Sequence, residues 1–133
     1  MRGGWLLTGW LLSASAAAVS QSWSDSSIGP ALSLRGVAAS SPALGDGAAR
    51  GTVTLVYWQY RLSGPMPAGL QVRLCADTRC VLLEGANGAT RGLSNLPADE
   101  PLRFIYQVEG KGRVFPLTRV ISNQVTVNYR TVR

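Results

Sequence analysis

The sequence predicts an all-β protein: one antiparallel β-sandwich, or a small barrel, of about seven strands preceded by a cleaved leader. Three observations carry that prediction. Apolar and polar residues alternate with a period of two in one segment after another. Glycine- and proline-rich turns separate these segments, and no helical periodicity follows the first twenty residues.

The chain of 133 residues opens MRGGWLLTGWLLSASAAAVS. Arg2, an apolar run over residues 5–12 and small residues over 13–18 are the three parts of a secretory signal peptide. That apolar run is far short of the ~20 residues that span a bilayer. Cleavage is chemically acceptable after Ala16, Ala18 or Ser20. The expected organisation is therefore a signal peptide over 1–20 and one exported domain over 21–133, with no stable membrane insertion once the leader is gone.

Residues 21–27, QSWSDSS, are small and polar and are expected to form a mobile mature N-terminus. Residues 31–37 offer a short strand with Leu32 and Leu34 inward, and residues 38–50, AASSPALGDGAAR, read as a long loop. Residues 51–62, GTVTLVYWQYRL, place Val56, Trp58, Tyr60 and Leu62 on one side and Val53, Leu55, Tyr57 and Gln59 on the other. Both sides are rather apolar, which suits a central strand. The SGPMPAG that follows cannot continue it and reads as an ordered loop.

Next, Leu70, Val72 and Leu74 alternate with polar neighbours up to Cys75, and Val81 and Leu83 resume after Cys80. These are the only two cysteines in the chain, and there is no histidine. Zinc takes about four Cys or His ligands, so a metal pair is excluded. A redox dithiol takes Cys-x-x-Cys, whereas four residues stand between this pair. In an exported protein the remaining reading is a disulfide across a hairpin whose loop is residues 76–79. Further on, residues 102–108 alternate as a strand, and EGKG at 109–112 is a turn of the glycine-containing hairpin kind. Pro116 marks residues 113–117 as an edge strand or a bulge. Residues 124–130, QVTVNYR, place Val125, Val127 and Tyr129 inward.

The residue inventory argues against an enzyme. Without histidine neither a Ser-His-Asp nor a Cys-His arrangement is possible. The seven carboxylates are scattered, and the one adjacent pair, Asp99-Glu100, points to opposite sides of an extended chain. No phosphate-binding GxxxxGK loop is present, and no cofactor is expected. Charge is more informative: 13 basic residues against 7 acidic ones, all but one of the basic residues arginine. Loss of Arg2 with the leader takes the net charge from +6 to +5. Such a surface attracts acidic partners, although export disfavours nucleic acid. The plainer reading is that the arginines keep a small β-protein soluble and its edges apart.

GPMPAGLQVRLC at 64–75, the second cysteine at Cys80, EPLRF at 100–104 and SNQVTVNYR at 122–130 together resemble the FlhE family of periplasmic flagellar accessory proteins. The similarity runs from about Trp23 to Arg130. It implies a periplasmic, non-enzymatic factor of flagellum assembly that works on the type III export pathway. The family is associated with two mechanisms: chaperoning exported subunits, and restraining proton leakage through the export apparatus. The expected partners are therefore exported flagellar subunits or components of that apparatus. The alternative is a secreted sandwich that binds or inhibits an acidic ligand and has no flagellar role. The candidate contact residues are Trp58, Tyr60, Arg61 and Arg73, together with Val125, Val127 and Tyr129 on residues 122–130 taken as an exposed edge strand. For Trp58 and Tyr60, core packing is the favoured alternative. On the edge-strand reading, a proline at Thr126 weakens partner binding and spares the fold.

Overall fold

The computed structural model describes residues 18–132, so most of the expected leader lies outside the described residues. Nine strands follow in order: β1 (Ala18–Ser27), β2 (Ala31–Leu34), β3 (Ala39–Ser40), β4 (Thr52–Leu62), β5 (Leu70–Cys75), β6 (Cys80–Leu82), β7 (Asn87–Thr90), β8 (Arg103–Val108) and β9 (Arg113–Val132). They make two antiparallel sheets and, among the described residues, no helix. One sheet runs β1-β9-β4-β7, with β2 also paired to β9; the other runs β3-β8-β5-β6. This is the all-β sandwich that the alternation predicts.

The inward residues of the two sheets make one core. Tyr60 on β4 meets the rings of Phe104 and Tyr106 on β8 edge-on, at 6.5 and 5.6 Å between centroids. Val56, Val72, Leu74, Val125 and Val127 close around them, each contributing roughly 1.5–3 kcal/mol by leaving water. The Tyr106 hydroxyl donates to Asn123 Oδ1 at 3.1 Å, and Asn123 Nδ2 donates to Ser27 Oγ at 2.6 Å. The fully buried amide is thus satisfied on both of its ends.

β9 organises the first sheet. Ser27 pairs with Asn123 and Ala31 with Arg119, so β1 and β2 lie end to end along one side of it. Gly29 joins them, and a Cβ there would stand 2.5 Å from Val120 Cβ, too close for any other residue. On the opposite side β4 pairs from Thr52–Arg130 to Leu62–Val120. The register steps from Arg61–Ser122 to Leu62–Val120, which leaves Ile121 without a partner. That bulge shifts the alternation. Val114, Thr118 and Val120 before it, and Val125, Val127 and Tyr129 after it, are therefore all buried.

β5 and β6 form the expected hairpin, with Cys75 opposite Cys80 and bonded to it. Closing so short a loop contributes about 2 kcal/mol in the chain-entropy picture.

Several expectations need correction. Residues 21–27 are not a loose terminus: they belong to β1, paired with β9 along its whole length and anchored by buried Trp23, whose Nε1 donates to Ala98 O at 2.9 Å. Leu34 is half exposed rather than inward, because the β2–β9 register slips between Leu32 and Leu34. The loop over 38–50 is irregular as expected, yet it holds β3 and buries Leu44 through an isolated bridge to Leu102. Residues 109–112 do not close a hairpin. β8 and β9 belong to different sheets, and Gly110 and Gly112, at φ 107° and 87°, turn the chain from one to the other. Residues 124–130 are not an edge, since β1 and β4 flank them on both sides.

Candidate partner-binding surface

The N-terminal half of β9, RVFPLTRV, carries apolar residues between two arginines. Arg113 and Arg119 share odd positions with Phe115 and Leu117, which in a strand assigns all four to one side. β4 ends where Ser63 N donates to Arg119 O at 2.9 Å, and the proline-containing loop 63–69 then leads the chain away. From Arg113 to Thr118, β9 therefore has β2 on one side, paired at Arg113 and Thr118 with a register slip between them, and, among the described residues, no strand on the other. Pro116 removes one main-chain donor from this stretch of β9.

Exposure concentrates at the same place. Phe115 is 91% exposed, Leu117 65% and Leu34 51%. With Ser33, Arg113 and Val114 they line one shallow groove. Arg113, Arg119 and Lys111 stand exposed beside it. Arg35 does not: its Nη1 donates to Ala68 O and Glu109 O, each at 3.0 Å, and so ties loop 63–69 to the turn after β8. The arrangement offers main-chain groups, apolar anchors and positive charge together, which suits an extended polypeptide.

The residues expected to contact partners are not gathered at one site. Trp58 is buried, its ring over Gly88 of β7 and its Nε1 donating to Gly85 O at 3.1 Å. Tyr60, Val125, Val127 and Tyr129 are buried as well. Tyr129 OH donates to Gln21 Oε1 at 3.1 Å and so helps to hold β1. Arg61 and Arg73 are exposed, but they stand on the outer sides of different sheets. The reason is positional: alternation identifies an inward side, and residues on that side of a flanked strand meet the core instead of a partner. Phe115, Leu117 and Leu34 are absent from the expected contact set. The odd-numbered run from Arg113 to Arg119 is the sequence signal that would have found Phe115 and Leu117.

Titration adds no chemical site. Burial raises Tyr106 well above the ordinary tyrosine value of 10.0, with neighbouring Tyr60 adding to the effect, and burial raises Tyr60 too. Neither has a basic partner that would activate it, and among the described residues no three His, Cys, Asp or Glu side chains converge.

Fold and surface together define a small, disulfide-stapled antiparallel β-sandwich with exposed apolar side chains beside an open strand edge. Comparison with known proteins makes the assignment specific. A family described as "Flagellar protein FlhE" matches residues 29–130. The flagellar protein FlhE of Salmonella typhimurium is 53% identical over 109 residues, covering 81% of this chain and 84% of the relative. Those of Escherichia coli K12 and Yersinia enterocolitica are 50% and 45% identical, covering 81% and 86% of this chain and 84% of each relative. A crystal structure of FlhE superposes with a TM-score of 0.82 at 51% identity, covering 84% of this chain and 98% of the other. This chain belongs to the FlhE family of flagellar proteins, as the resemblance over residues 64–75, 100–104 and 122–130 implies. Its role is that of a flagellar accessory protein, and no catalytic family is indicated. A serine protease of Aeromonas sobria is similar in fold alone: TM-score 0.58, 10% identity, 89% of this chain and 28% of the other.

Proposed function

We propose that this protein is a non-enzymatic periplasmic factor that acts on the flagellar type III export pathway by holding exported subunits in extended form along the β2–β9 groove. One observation carries the reading: Phe115 and Leu117 lie solvent-exposed beside the unpaired edge of residues 113–118. An extended client adds main-chain hydrogen bonds there, inserts apolar side chains between Leu34 and Leu117, and is steered by Arg113 and Arg119 if it is acidic. Covering a side chain such as Phe115 contributes roughly 1.5–3 kcal/mol. A chaperone needs such a surface and no catalytic group. The leader that the sequence predicts over 1–20 and the Cys75–Cys80 disulfide support an oxidising compartment outside the cytosol.

The test is a photo-crosslinking residue in place of Phe115, activated in flagellated cells and followed by mass spectrometry. Rod, hook or filament subunits in the adducts support the chaperone reading. Membrane components of the export apparatus would replace it with restraint of proton leakage by the same groove. Adducts identical to those from a crosslinker at Gln71, exposed on β5 of the other sheet, would overturn the groove as the contact site.

A further inference from the structure

The outer side of the first sheet carries a different surface. Ser24, Thr126 and Tyr57 are cross-strand partners in one row over β1, β9 and β4, and the Ser24 and Thr126 hydroxyls lie 2.7 Å apart. Gln124 and Gln59 form the next row, and Asn128 stands in the row on the other side. None of the residues paired in these three rows is charged; the first two rows reach β7, and the third ends at Leu55 on β4. Arg61 and Arg130 mark the two ends of the patch along β4 and β9, and exposed Arg91, just past the end of β7, marks its corner. Asp25 is turned away, its carboxylate accepting from Ser26 N and Gly45 N.

A chain with 20 charged side chains among 133 residues usually distributes some of them over an exposed sheet, since charge there keeps the protein soluble and the sheet unpartnered. Here hydroxyls and carboxamides take their place, groups that both donate and accept hydrogen bonds. Tyr57, 47% exposed, is the aromatic at the centre. Shallow depressions flank it on both sides of β4. Gln59, Gln124 and Thr126 line the one toward β9, and Asn87, Gly88 and Ala89 line the one toward β7.

We infer that this face binds a neutral, extended glycan chain. A protein partner fits it poorly, because the buried centre of a protein interface is enriched in apolar side chains and this patch has little beyond Tyr57 and Leu55. A charged ligand finds no counter-charge among the paired residues of the three rows, only arginines at the margin. A β-1,4-linked hexose ribbon is uncharged and flat, presents hydroxyls along both edges, and has ring C–H faces that stack on an aromatic side chain. Tyr57 supplies the stacking platform and the depressions beside it receive the adjoining sugars. The amides of Gln59, Gln124 and Asn128 bond the hydroxyls. The inference is independent of the groove at Phe115 and of any flagellar client.

The experiment is calorimetric titration of the disulfide-bonded protein, lacking the leader, with cellohexaose and with the hexamer of N-acetylglucosamine, at low and high salt. Saturable binding of at least one probe is expected, unchanged by salt because no ion pair forms. Tyr57→Ala weakens it about tenfold, the size of one lost aromatic contact, whereas Gln71→Ala on the opposite sheet does not. Circular dichroism verifies that the exposed substitutions leave the fold intact. No saturable binding of either probe, or binding indifferent to Tyr57→Ala, overturns the inference. So does a protein dimer in analytical ultracentrifugation that Tyr57→Ala dissociates, which would give the face to a second copy of the chain.

Discussion

The two halves of β9 are made of similar residues and meet opposite fates. Residues 123–130 lie between β1 and β4, with Val125, Val127 and Tyr129 buried. Among the described residues, residues 113–118 have β2 on one side only, and Phe115 and Leu117 stand in solvent. Hydrophobicity does not separate them: RVFPLT is at least as apolar as NQVTVNYRTV. Neighbours do. β4 stops at Leu62 because SGPMPAG cannot extend it, so nothing remains to cover the first half. The bulge at Ile121 then lets both halves keep one side in the core despite the change of partners.

The strongest way to break this comparison is Thr126→Pro. Thr126 has a strand partner on each side, Ser24 and Tyr57, and proline in a central strand removes a ladder donor. Loss of the near-ultraviolet dichroism and of cooperative melting is expected, in place of the folded, binding-deficient variant that the edge-strand reading predicts. A well-folded variant would mean that β9 is not central.

The junction of the halves comes next. Asn123→Ala leaves the Tyr106 hydroxyl and Ser27 without their buried partner, at a cost of about 1–3 kcal/mol. Urea denaturation measures it, and an unchanged midpoint would mean that the halves are not joined through this amide.

A smaller effect is set by pH. Burial holds Tyr106 and Tyr60 above the ordinary 10.0, so the folded protein keeps these protons more tightly than the unfolded chain does. Their contribution to stability is complete below pH about 10 and declines as pH rises past that value. The urea midpoint should therefore fall from pH 10 upward, with two tyrosines ionising late in the ultraviolet titration of the native protein. A midpoint that rises over that window would contradict the buried ring pair.

The smallest change in stability belongs to the open half. Replacing Phe115 and Leu117 together by serine should shift unfolding by no more than about 0.5 kcal/mol while reducing capture of flagellar partners. A large loss of stability would show that these side chains pack against the protein after all.

Much of the fold was legible beforehand. β4, β5, β8 and the second half of β9 combine strict alternation with β-branched and aromatic residues, and the cysteine spacing identified the hairpin staple. β1 was not legible, because AVSQSWSDSS has the composition of a loose terminus and becomes a strand only by pairing with β9. β7, NGAT, was missed for the same reason: Gly88 is tolerated there because the Trp58 ring covers it. Of the residues expected at a contact edge, Val125, Val127 and Tyr129 are buried in a flanked strand, and the exposed apolar residues beside an open edge are Phe115 and Leu117.

By itself the sequence determined the all-β class, the alternation of the major strands, the disulfide and the family. Those properties depend on neighbours along the chain: side chains in a strand alternate every second residue, and the two cysteines are five positions apart. Tertiary structure alone decided which strands are flanked and which are open. Ala18 pairs with Val132 and Thr52 with Arg130, so lateral neighbours come from distant parts of the chain. A strand's own pattern is the same whether one partner or two lies beside it, and only the assembled sheets distinguish the buried half of β9 from the half that meets solvent.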